Sequence, residues 1–337
     1  MKWTRAMRLG RRGIEDAMRA ASVVLNTKLP DPTPFAARAA DVPGVMKIPA
    51  FGSNPGGLKM LLYAPPSAPR PGAPLIVVLH GCGQDAAGFA TESGWLALAD
   101  RLSVPVVIPA QTHENNQGGC FNWFRPVDTR RGRGEAASIR QMVTEAAAGF
   151  RSDKRRVFVA GLSAGGSMAA ALLASYPDVF AAGAVVSGLP VGCADDMGQA
   201  FARMSHAGPT LSGPEWAEKA RERGPVGYAG NWPRLSIWRG DADHTVDPAN
   251  SELLAQQWTA LHRLSHPSWT ETEPAAGVRR RVWGLPEAPV VERWTLHGLP
   301  HAWPIGDGDE GKAGQWVREA PVSATNEIAR FWGLEEG

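Results

Sequence analysis

The sequence is poor in the residues on which several common classes of protein depend. Its 337 residues include only three cysteines, Cys82, Cys120 and Cys193, which excludes a disulfide-rich scaffold and a four-cysteine zinc site. The 35 basic and 33 acidic residues give a formal charge of +2, so the broad basic surface of a nucleic-acid-binding protein is missing. No stretch approaches the roughly 18 apolar residues of a membrane span. We therefore expect neither a nucleic-acid nor a membrane partner.

The N-terminal segment lacks the apolar centre of a secretion signal. Its only apolar run, residues 20–25, is shorter than the roughly 7 to 15 residues that such a centre needs. Residues 1–29 show apolar residues at helical spacing, and prolines follow at positions 30, 32 and 34. We therefore predict a helical arm and linker over residues 1–45 and the main folded domain over residues 46–337. A cytoplasmic location is favoured, with secretion as the alternative.

β-branched runs alternate with helical periodicity from about residue 47 onwards. Strands are predicted over 59–63, 75–79, 104–108, 156–160, 181–186, 234–238 and 290–296, and helices over 94–102, 134–150, 163–175, 247–264 and 320–332. This alternation predicts an α/β fold with a doubly wound, mostly parallel sheet and helices on both faces. Residues 190–233 are predicted to cross the C-terminal edge of the sheet, and residues 269–283 to form an inserted hairpin.

Tryptophan is abundant, with 13 residues against three tyrosines. Its large rigid face suits either a surface that stacks on a substrate or a dense core. We expect the tryptophans of the two insertions to lie over the substrate site, although the core remains the alternative for them. These residues are Trp216, Trp232, Trp269 and Trp283.

The sequence GLSAG at 161–165 carries the strongest chemical signal. It directly follows a predicted buried strand and opens an alanine-rich helix, as a nucleophile elbow does. Such a turn needs small neighbours and would lift the Ser163 hydroxyl above the sheet. The N–H of Ala164 and the helix dipole could then stabilise a developing oxyanion. A tight turn with an incidental serine is the alternative.

A nucleophilic serine needs a base and an acid, which in this architecture follow in the order Ser, acid, His. Asp241, Asp243 and Asp247 all come after the strand predicted over 234–238. Asp247 precedes a proline and is placed to cap the next helix. Asp241 stands at the strand end, whereas Asp243 lies in a loop that can reach a histidine. We predict Asp243 as the acid, with Asp241 as the alternative.

His301 is the histidine best placed to be the base. It lies in the loop 298–304 after the last predicted strand, where its imidazole can lie between Ser163 and Asp243. The other seven histidines belong to the insertions, to a helix end, to polar or neighbouring loops, or directly follow Asp243. They are His80, His113, His206, His244, His262, His266 and His297.

A second oxyanion donor is expected in the sequence HGCG at 80–83, which follows the strand predicted over 75–79. The glycines allow a backbone N–H, that of Cys82, to point at the site. Cys120 lies in the loop after the next strand, at the same sheet edge. A Cys82–Cys120 disulfide and two free thiols are both compatible with this placement, and free thiols suit a reducing cytosol better.

The same loop also fits the glycine pattern of a dinucleotide site over residues 81–86. That reading needs an acidic residue after the next strand to bind the ribose. The strand predicted over 104–108 is followed instead by Pro109, Ala110 and Gln111. We therefore predict no nucleotide cofactor, and no motif implies a metal.

Taken together, these motifs resemble those of the poly(3-hydroxybutyrate) depolymerase family of esterases, α/β-hydrolases related to feruloyl and acetyl-xylan esterases. The matching stretches are LHGCGQ at 79–84, CFNWF at 120–124, AGLSAGG at 160–166, SGLPVG at 187–192, GDADHTV at 240–246 and GLPHAWP at 298–304. The resemblance spans roughly residues 60–333. It implies an α/β-hydrolase fold with Ser163 as nucleophile, Asp243 as acid and His301 as base.

The resemblance also implies oxyanion N–H groups from Cys82 and Ala164, and substrate contacts from Trp123 and Trp303. We therefore expect a serine hydrolase that cleaves carboxylic esters through an acyl-enzyme, with 3-hydroxyalkanoate oligomers or polyesters as substrates. An esterase for feruloyl or acetyl groups is the alternative. A binding protein that has lost catalysis is disfavoured because the triad is complete. No cofactor is implied, and the oligomeric state is left open.

Overall fold

A computed structural model describes residues 42–306 and 311–335 of the chain. The helical arm predicted over residues 1–29 and the prolines that follow it lie outside the described residues. Their assignment therefore stays a prediction. No helix in the described ranges combines the length and the hydrophobicity that crossing a bilayer requires.

The described strands form one ten-stranded sheet and one two-stranded pair. The main sheet has the order β1-β2-β4-β3-β5-β6-β7-β10-β9-β8, and β11 pairs with β12. The six strands from β4 to β10 are parallel neighbours, while antiparallel pairs close both edges. The strands are β1 Val45–Ile48, β2 Lys59–Tyr63, β3 Leu75–Leu79, β4 Val106–Ala110, β5 Val157–Leu162, β6 Ala182–Val186, β7 Arg234–Gly240, β8 Thr270–Ala275, β9 Val278–Leu285, β10 Ala288–Leu296, β11 Trp303–Ile305 and β12 Val317–Glu319.

Helices cover both faces of this sheet, as the sequence predicts, and the fold is of the α/β-hydrolase type. Alternate residues of a strand point to opposite faces, so Val77 of β3 joins one core and Ile76 the other. The first core includes α4, α5 and α8, and the second includes α1, α2 and α9. The helices are α1 Ala86–Glu92, α2 Trp95–Leu102, α3 Pro126–Thr129, α4 Gly134–Phe150, α5 Ala164–Ser175, α6 Met197–Ser205, α7 Gly213–Arg221, α8 Asn250–Leu261 and α9 Ala324–Trp332.

Several predicted boundaries differ from the structure by two to four residues, the largest at helix α9, which begins at Ala324 rather than at residue 320. Two of the differences have clear local reasons. Strand β4 begins at Val106 rather than at residue 104, because the Val104 N–H still donates to Ala99 O at 3.0 Å and closes α2. Helix α8 begins at Asn250 rather than at residue 247. The Asp247 carboxylate accepts the Ala249 N–H at 2.9 Å, so it forms a turn before the helix.

The two insertions are integrated into the fold more fully than the sequence suggests. The predicted hairpin is β8 and β9, and it extends the main sheet because β9 pairs with β10. Residues 190–233 contain the helices α6 and α7. Of the tryptophans expected over the substrate site, Trp216 and Trp283 are almost fully buried. These two are therefore core residues, which corrects that expectation.

Candidate active site

The candidate residues converge at one edge of the sheet, beyond the carboxyl ends of its parallel strands. Ser163 follows β5, Asp243 follows β7, and His301 follows β10. The loop with Cys82 follows β3, and the loop with Cys120 follows β4. Ligands of open α/β sheets bind at this edge, so the topology brings residues far apart in sequence to a common place.

Ser163 occupies the sharp turn between β5 and α5. Its backbone has φ 58° and ψ −119°, a conformation that residues other than glycine rarely adopt. The Ser163 N–H donates to Val186 O at 2.8 Å and fixes the turn to the neighbouring strand. A Cβ on Gly161 would lie 2.3 Å from the Gly165 carbonyl oxygen, and one on Gly165 would lie 2.4 Å from that of His80. Both glycines are therefore required by close backbone contacts.

Asp243 and His301 form a buried pair. His301 Nδ1 lies 2.7 Å from Asp243 Oδ2, and the two residues are 8% and 5% exposed. The backbone N–H groups of Thr245 and Val246 both donate to Asp243 Oδ1 at 2.9 Å. Burial favours the neutral acid, but the hydrogen bond and charge of His301 and the Val246 N–H outweigh it and lower the pKa of Asp243. The carboxylate is thus ionised and holds the imidazole in one orientation.

The structure gives the three competing carboxylates different partners. Asp241 lies 3.0 Å from His297 Nδ1 and accepts the Gly298 N–H at 2.7 Å. Asp247 Oδ2 accepts the Ala207 N–H at 3.0 Å, which ties this loop to the segment after α6. Only Asp243 among the three contacts His301 within the described residues. This geometry agrees with the preference for Asp243 over Asp241.

A close backbone contact sets the spacing between the Asp243 and His301 loops. A Cβ on Gly240 would lie 1.8 Å from the carbonyl oxygen of Leu299, so only glycine fits there. The Ala242 N–H donates to the same oxygen at 3.2 Å. The last residue of β7 and the loop after β10 are therefore held together directly beside the acid–histidine pair.

Ser163 and His301 are less closely connected than His301 and Asp243. Both side chains lie at the same sheet edge and keep about a tenth of their surface exposed. The hydrogen bonds among the described residues do not include one from the Ser163 hydroxyl to His301. Such bonds are often long before substrate binds, and the proton relay from Ser163 to His301 stays a prediction.

The two expected oxyanion donors flank the turn at Ser163. The Ala164 N–H is at the first position of α5, where helical N–H groups have no acceptor within the helix. The loop that carries Cys82 lies against the same turn, because Gly165 packs on the His80 carbonyl oxygen. The roles of Cys82 and Ala164 remain predictions that this placement permits.

His80 orders the loop that carries Cys82, a function that its sequence position alone did not reveal. Its Nδ1 lies 2.7 Å from Gly81 O, and its Nε2 accepts the Gln111 N–H at 3.1 Å. Burial lowers the pKa of His80 to about 4 in spite of the bond to Gly81. The imidazole is therefore neutral at pH 7 and joins the loops after β3 and β4.

Cys82 and Cys120 form a disulfide, one of the two alternatives that the sequence allows, while Cys193 is a free buried thiol. The disulfide joins residues 38 positions apart. It links the loop with the expected oxyanion donor to the loop with Trp123. These two active-site loops are thus covalently connected.

Replacing both Cys82 and Cys120 with serine is expected to destabilise the protein by about 3 kcal/mol, because the unfolded chain loses a loop constraint. The backbone N–H of residue 82 remains, so some ester hydrolysis should persist. Urea unfolding measures the loss. Dithiothreitol should lower the unfolding midpoint of the wild type and leave that of the double variant unchanged. Equal shifts in both proteins would contradict a structural role for this disulfide.

Glu135, at the start of α4, is the centre of a buried polar network that sequence reasoning missed. Its carboxylate accepts the side-chain N–H groups of Gln111, Asn115 and Asn122 at 2.7, 3.0 and 2.7 Å, and the Asn122 backbone N–H at 2.8 Å. Burial, with a smaller contribution from Asp128, raises the pKa of Glu135 to about 7 although the hydrogen bonds from Gln111 and Asn122 oppose it. Through these hydrogen bonds the buried Glu135 side chain fixes the loop between β4 and α3.

A Glu135→Gln variant should reveal this titration in its stability. Because the folded pKa of about 7 exceeds the unfolded value near 4.5, the wild type is expected to lose stability as the pH rises from about 4.5 to 7. Glu135→Gln has no carboxyl to titrate at this position, so its free energy of unfolding should not fall in this way. The excess in unfolding free energy of the wild type over the variant should therefore become smaller as the pH rises from about 4.5 to 7. Urea unfolding at several pH values measures it, with the exposed Glu145→Gln on the same helix as control. A constant difference would contradict the assignment.

The tryptophans near the site require one correction. Trp303 has no exposed surface and packs among Phe89 and Trp95 in the second core, so its predicted contact with substrate is wrong. Trp123 is half-buried and packs edge-to-face on Phe124, so its predicted contact remains open. Trp316, which sequence reasoning missed, is half-buried and lies edge-on to the His301 ring at 6.1 Å.

No group of three or more potential metal ligands occurs among the described residues. The candidate site brings together a hydroxyl, an imidazole held by a carboxylate, and backbone N–H groups. This set is suited to acyl transfer.

Comparison with known proteins places this site in a family context. Residues 58–270 match the family described as esterase PHB depolymerase. The chain is 39% identical over 309 residues to poly(3-hydroxyalkanoate) depolymerase C of Paucimonas lemoignei, covering 90% of this chain and 73% of that protein. It is 33% identical over 280 residues to feruloyl esterase B of Talaromyces stipitatus, covering 81% and 74%.

A solved structure supports the fold independently. The acetyl xylan esterase from Aspergillus awamori superposes with a TM-score of 0.73 at 22% identity, covering 86% of this chain and 99% of that one. At this identity the likeness supports the α/β-hydrolase-type fold.

Proposed function

Because the chain belongs to the esterase PHB depolymerase family, we propose that it hydrolyses 3-hydroxyalkanoate esters by acyl transfer through Ser163, His301 and Asp243. The protein is an ester hydrolase, as its named relatives are. The observation that carries the proposed mechanism is the buried Asp243–His301 pair, 2.7 Å apart, at the sheet edge where Ser163 occupies a strained turn.

In the proposed reaction His301 accepts the proton of the Ser163 hydroxyl as the oxygen attacks the ester carbonyl carbon. The Cys82 and Ala164 N–H groups stabilise the resulting oxyanion. His301 then donates its proton to the leaving alcohol, which leaves an acyl-enzyme on Ser163. Water, deprotonated by His301, hydrolyses that ester and releases the acid. Asp243 stabilises the imidazolium that forms in both steps.

The proposed substrate class rests on the 39% identity to the depolymerase. Trp123 and Trp316 keep part of their surfaces exposed near the site. We propose that these two faces, rather than the buried Trp303, contact the apolar part of the acyl chain. The second candidate, an esterase for feruloyl or acetyl groups, is supported by the 33% identity to feruloyl esterase B.

Initial rates on a linear 3-hydroxybutyrate trimer and on methyl ferulate distinguish the two substrate classes. We expect kcat/KM to be at least tenfold higher for the trimer. Ser163→Ala is the blank for both substrates. A preference for methyl ferulate would overturn the proposed substrate and favour the second candidate. Hydrolysis of both substrates by Ser163→Ala at rates close to those of the wild type would overturn the mechanism.

The location of the protein stays a proposal. The sequence favours the cytoplasm, whereas disulfides such as Cys82–Cys120 persist mainly in oxidising compartments. The redox state of these two cysteines in the natural cell, trapped by thiol alkylation before lysis, distinguishes the alternatives. Alkylated cysteines would support the cytoplasm, and an intact disulfide would support an oxidising compartment.

A further inference from the structure

Apart from the proposed active site, a cluster of charged side chains lies on one face of the neighbouring strands β7, β10 and β9. A cavity of about 330 Å³ opens there, and none of its lining residues is a member of the proposed triad. Four of the lining residues are arginines, and a threonine and two glutamates complete the lining. The residues are Arg239, Arg279, Arg281, Arg293, Thr295, Glu252 and Glu271.

The strand register explains why the arginines meet. Thr295 of β10 is paired with Arg239 of β7 on one side and with Arg279 of β9 on the other. Two residues earlier on β10, Arg293 is paired with Arg281. Since residues two apart on a strand share a face, all these side chains project to the same side of the sheet. This side is the one that α8 covers.

Two of the four guanidinium groups are paired with carboxylates. Arg293 forms an ion pair with Glu252 of α8, and Arg281 lies 2.6 Å from Glu271 of β8. Within the described residues, neither Arg239 nor Arg279 has a carboxylate at ion-pair distance. Two positive charges in the cavity are therefore uncompensated.

Longer-range charges do not remove this imbalance at Arg239. The acids whose charges act on it, Asp241 and Asp247, are held by other partners. Burial and the charges of Arg279 and Arg281 together lower the pKa of the Arg239 guanidinium. An anion in the cavity would relieve this repulsion.

The cavity also has buried hydrogen-bond donors. Arg293 is only 5% exposed, and its Nε is buried without a hydrogen-bond partner. The Thr295 hydroxyl accepts the Arg239 Nε–H at 3.2 Å, which leaves the hydroxyl proton free to donate. Arginines that served only as a solvated surface would require neither a buried Nε without a partner nor a threonine hydroxyl held beside them.

We propose that this cavity binds a small dianion whose charge lies on oxyanion groups, such as a phosphate ester or a dicarboxylate. Guanidinium groups present N–H donors in a fork that matches carboxylate and phosphate oxygens. The two uncompensated charges match a dianion. The volume of about 330 Å³ is within the size range of small-molecule sites.

Isothermal titration calorimetry with inorganic phosphate and, separately, with succinate tests this proposal at constant ionic strength. Binding of phosphate but not of succinate would indicate a phosphate ligand, and binding of succinate alone would indicate a dicarboxylate. Binding of both would indicate a site that recognises paired oxyanion groups in general. Each of these results supports the site if the variants below weaken binding. The absence of heat for both ligands at 10 mM, or equal binding of chloride, would overturn it.

Arg279→Gln is the informative variant because its side chain is exposed and its loss should not disturb the core. It should raise the dissociation constant by about tenfold or more, as loss of a charged hydrogen-bond donor does. Arg239→Gln should do the same. The control is Arg155→Gln, an exposed arginine at the opposite end of the sheet before β5, which should leave binding unchanged. If the dissociation constant is unchanged in Arg279→Gln and also in Arg239→Gln, the ligand binds elsewhere and the proposal is contradicted.

Discussion

Replacing Asp243 with asparagine is expected to lower kcat for ester hydrolysis by about 10⁴-fold. The asparagine oxygen can still accept the Thr245 and Val246 N–H groups that the carboxylate accepts at 2.9 Å, so the loop should fold. The amide cannot supply the negative charge that stabilises the His301 imidazolium. In this orientation the amide nitrogen faces His301 Nδ1 and donates to it, which favours the wrong tautomer of the imidazole.

Asp241→Asn is the matched control, because Asp241 stands two residues away and also contacts a histidine, the exposed His297. We expect this variant to keep kcat within about threefold of the wild type, since the Asp241 carboxylate contacts a loop backbone and not His301. Steady-state kinetics on a p-nitrophenyl ester measure both variants. If Asp241→Asn loses activity and Asp243→Asn keeps it, the carboxylate is assigned wrongly.

Replacing Ser163 with alanine is expected to lower kcat by a factor on the order of 10⁶, because no acyl-enzyme can form. Residual hydrolysis would come from the oxyanion donors and from substrate binding. Alanine carries a Cβ atom as serine does, so the φ of 58° at this position should strain both residues to a similar degree. The elbow should therefore persist in the variant. Circular dichroism and the urea midpoint report whether the fold is kept.

Ser167→Ala is the control for the serine variant, because Ser167 lies one turn further along the chain in α5 and is also buried. Its hydroxyl accepts the Leu189 N–H at 3.0 Å, so the variant should lose about 1 kcal/mol of stability. Its kcat should change by less than tenfold. Equal losses of kcat at Ser163 and Ser167 would indicate damage to the helix rather than removal of a nucleophile.

The elements predicted most accurately from sequence are those whose determinants lie next to each other in the chain. Helix α4 spans Gly134–Phe150 and strand β3 spans Leu75–Leu79, both as predicted. The helix is defined by its hydrophobic periodicity and the strand by its continuous apolar run. The strand–elbow–helix unit around Ser163 is equally local. Its glycines, serine and flanking strand are contiguous, so the motif specifies the turn directly.

The failures concern residues whose environment is set by distant segments. Trp303 lies two residues after His301, which suggested a place at the site. In the structure β11 pairs with β12, a strand 14 residues further on, and this pairing directs Trp303 into the core and Trp316 towards His301. No spacing rule in the sequence connects Trp316 with His301.

Glu135 shows a second limit of sequence reasoning. A glutamate in the first turn of a helix is ordinarily explained by the helix dipole, and nothing in its immediate sequence indicates burial. The signal lay in the amide-rich loop at 111–122, which provides the donors that surround it. Pairing that loop with the helix start would have required the tertiary structure.

Covalent capture shows whether Ser163 is the nucleophile of an ester hydrolase. The protein is incubated with a fluorophosphonate and digested, and the adduct is located by mass spectrometry. We expect one stoichiometric adduct on Ser163, parallel loss of esterase activity, and slow labelling of the Asp243→Asn variant. A folded protein that hydrolyses esters while Ser163 stays unmodified would contradict this role of Ser163.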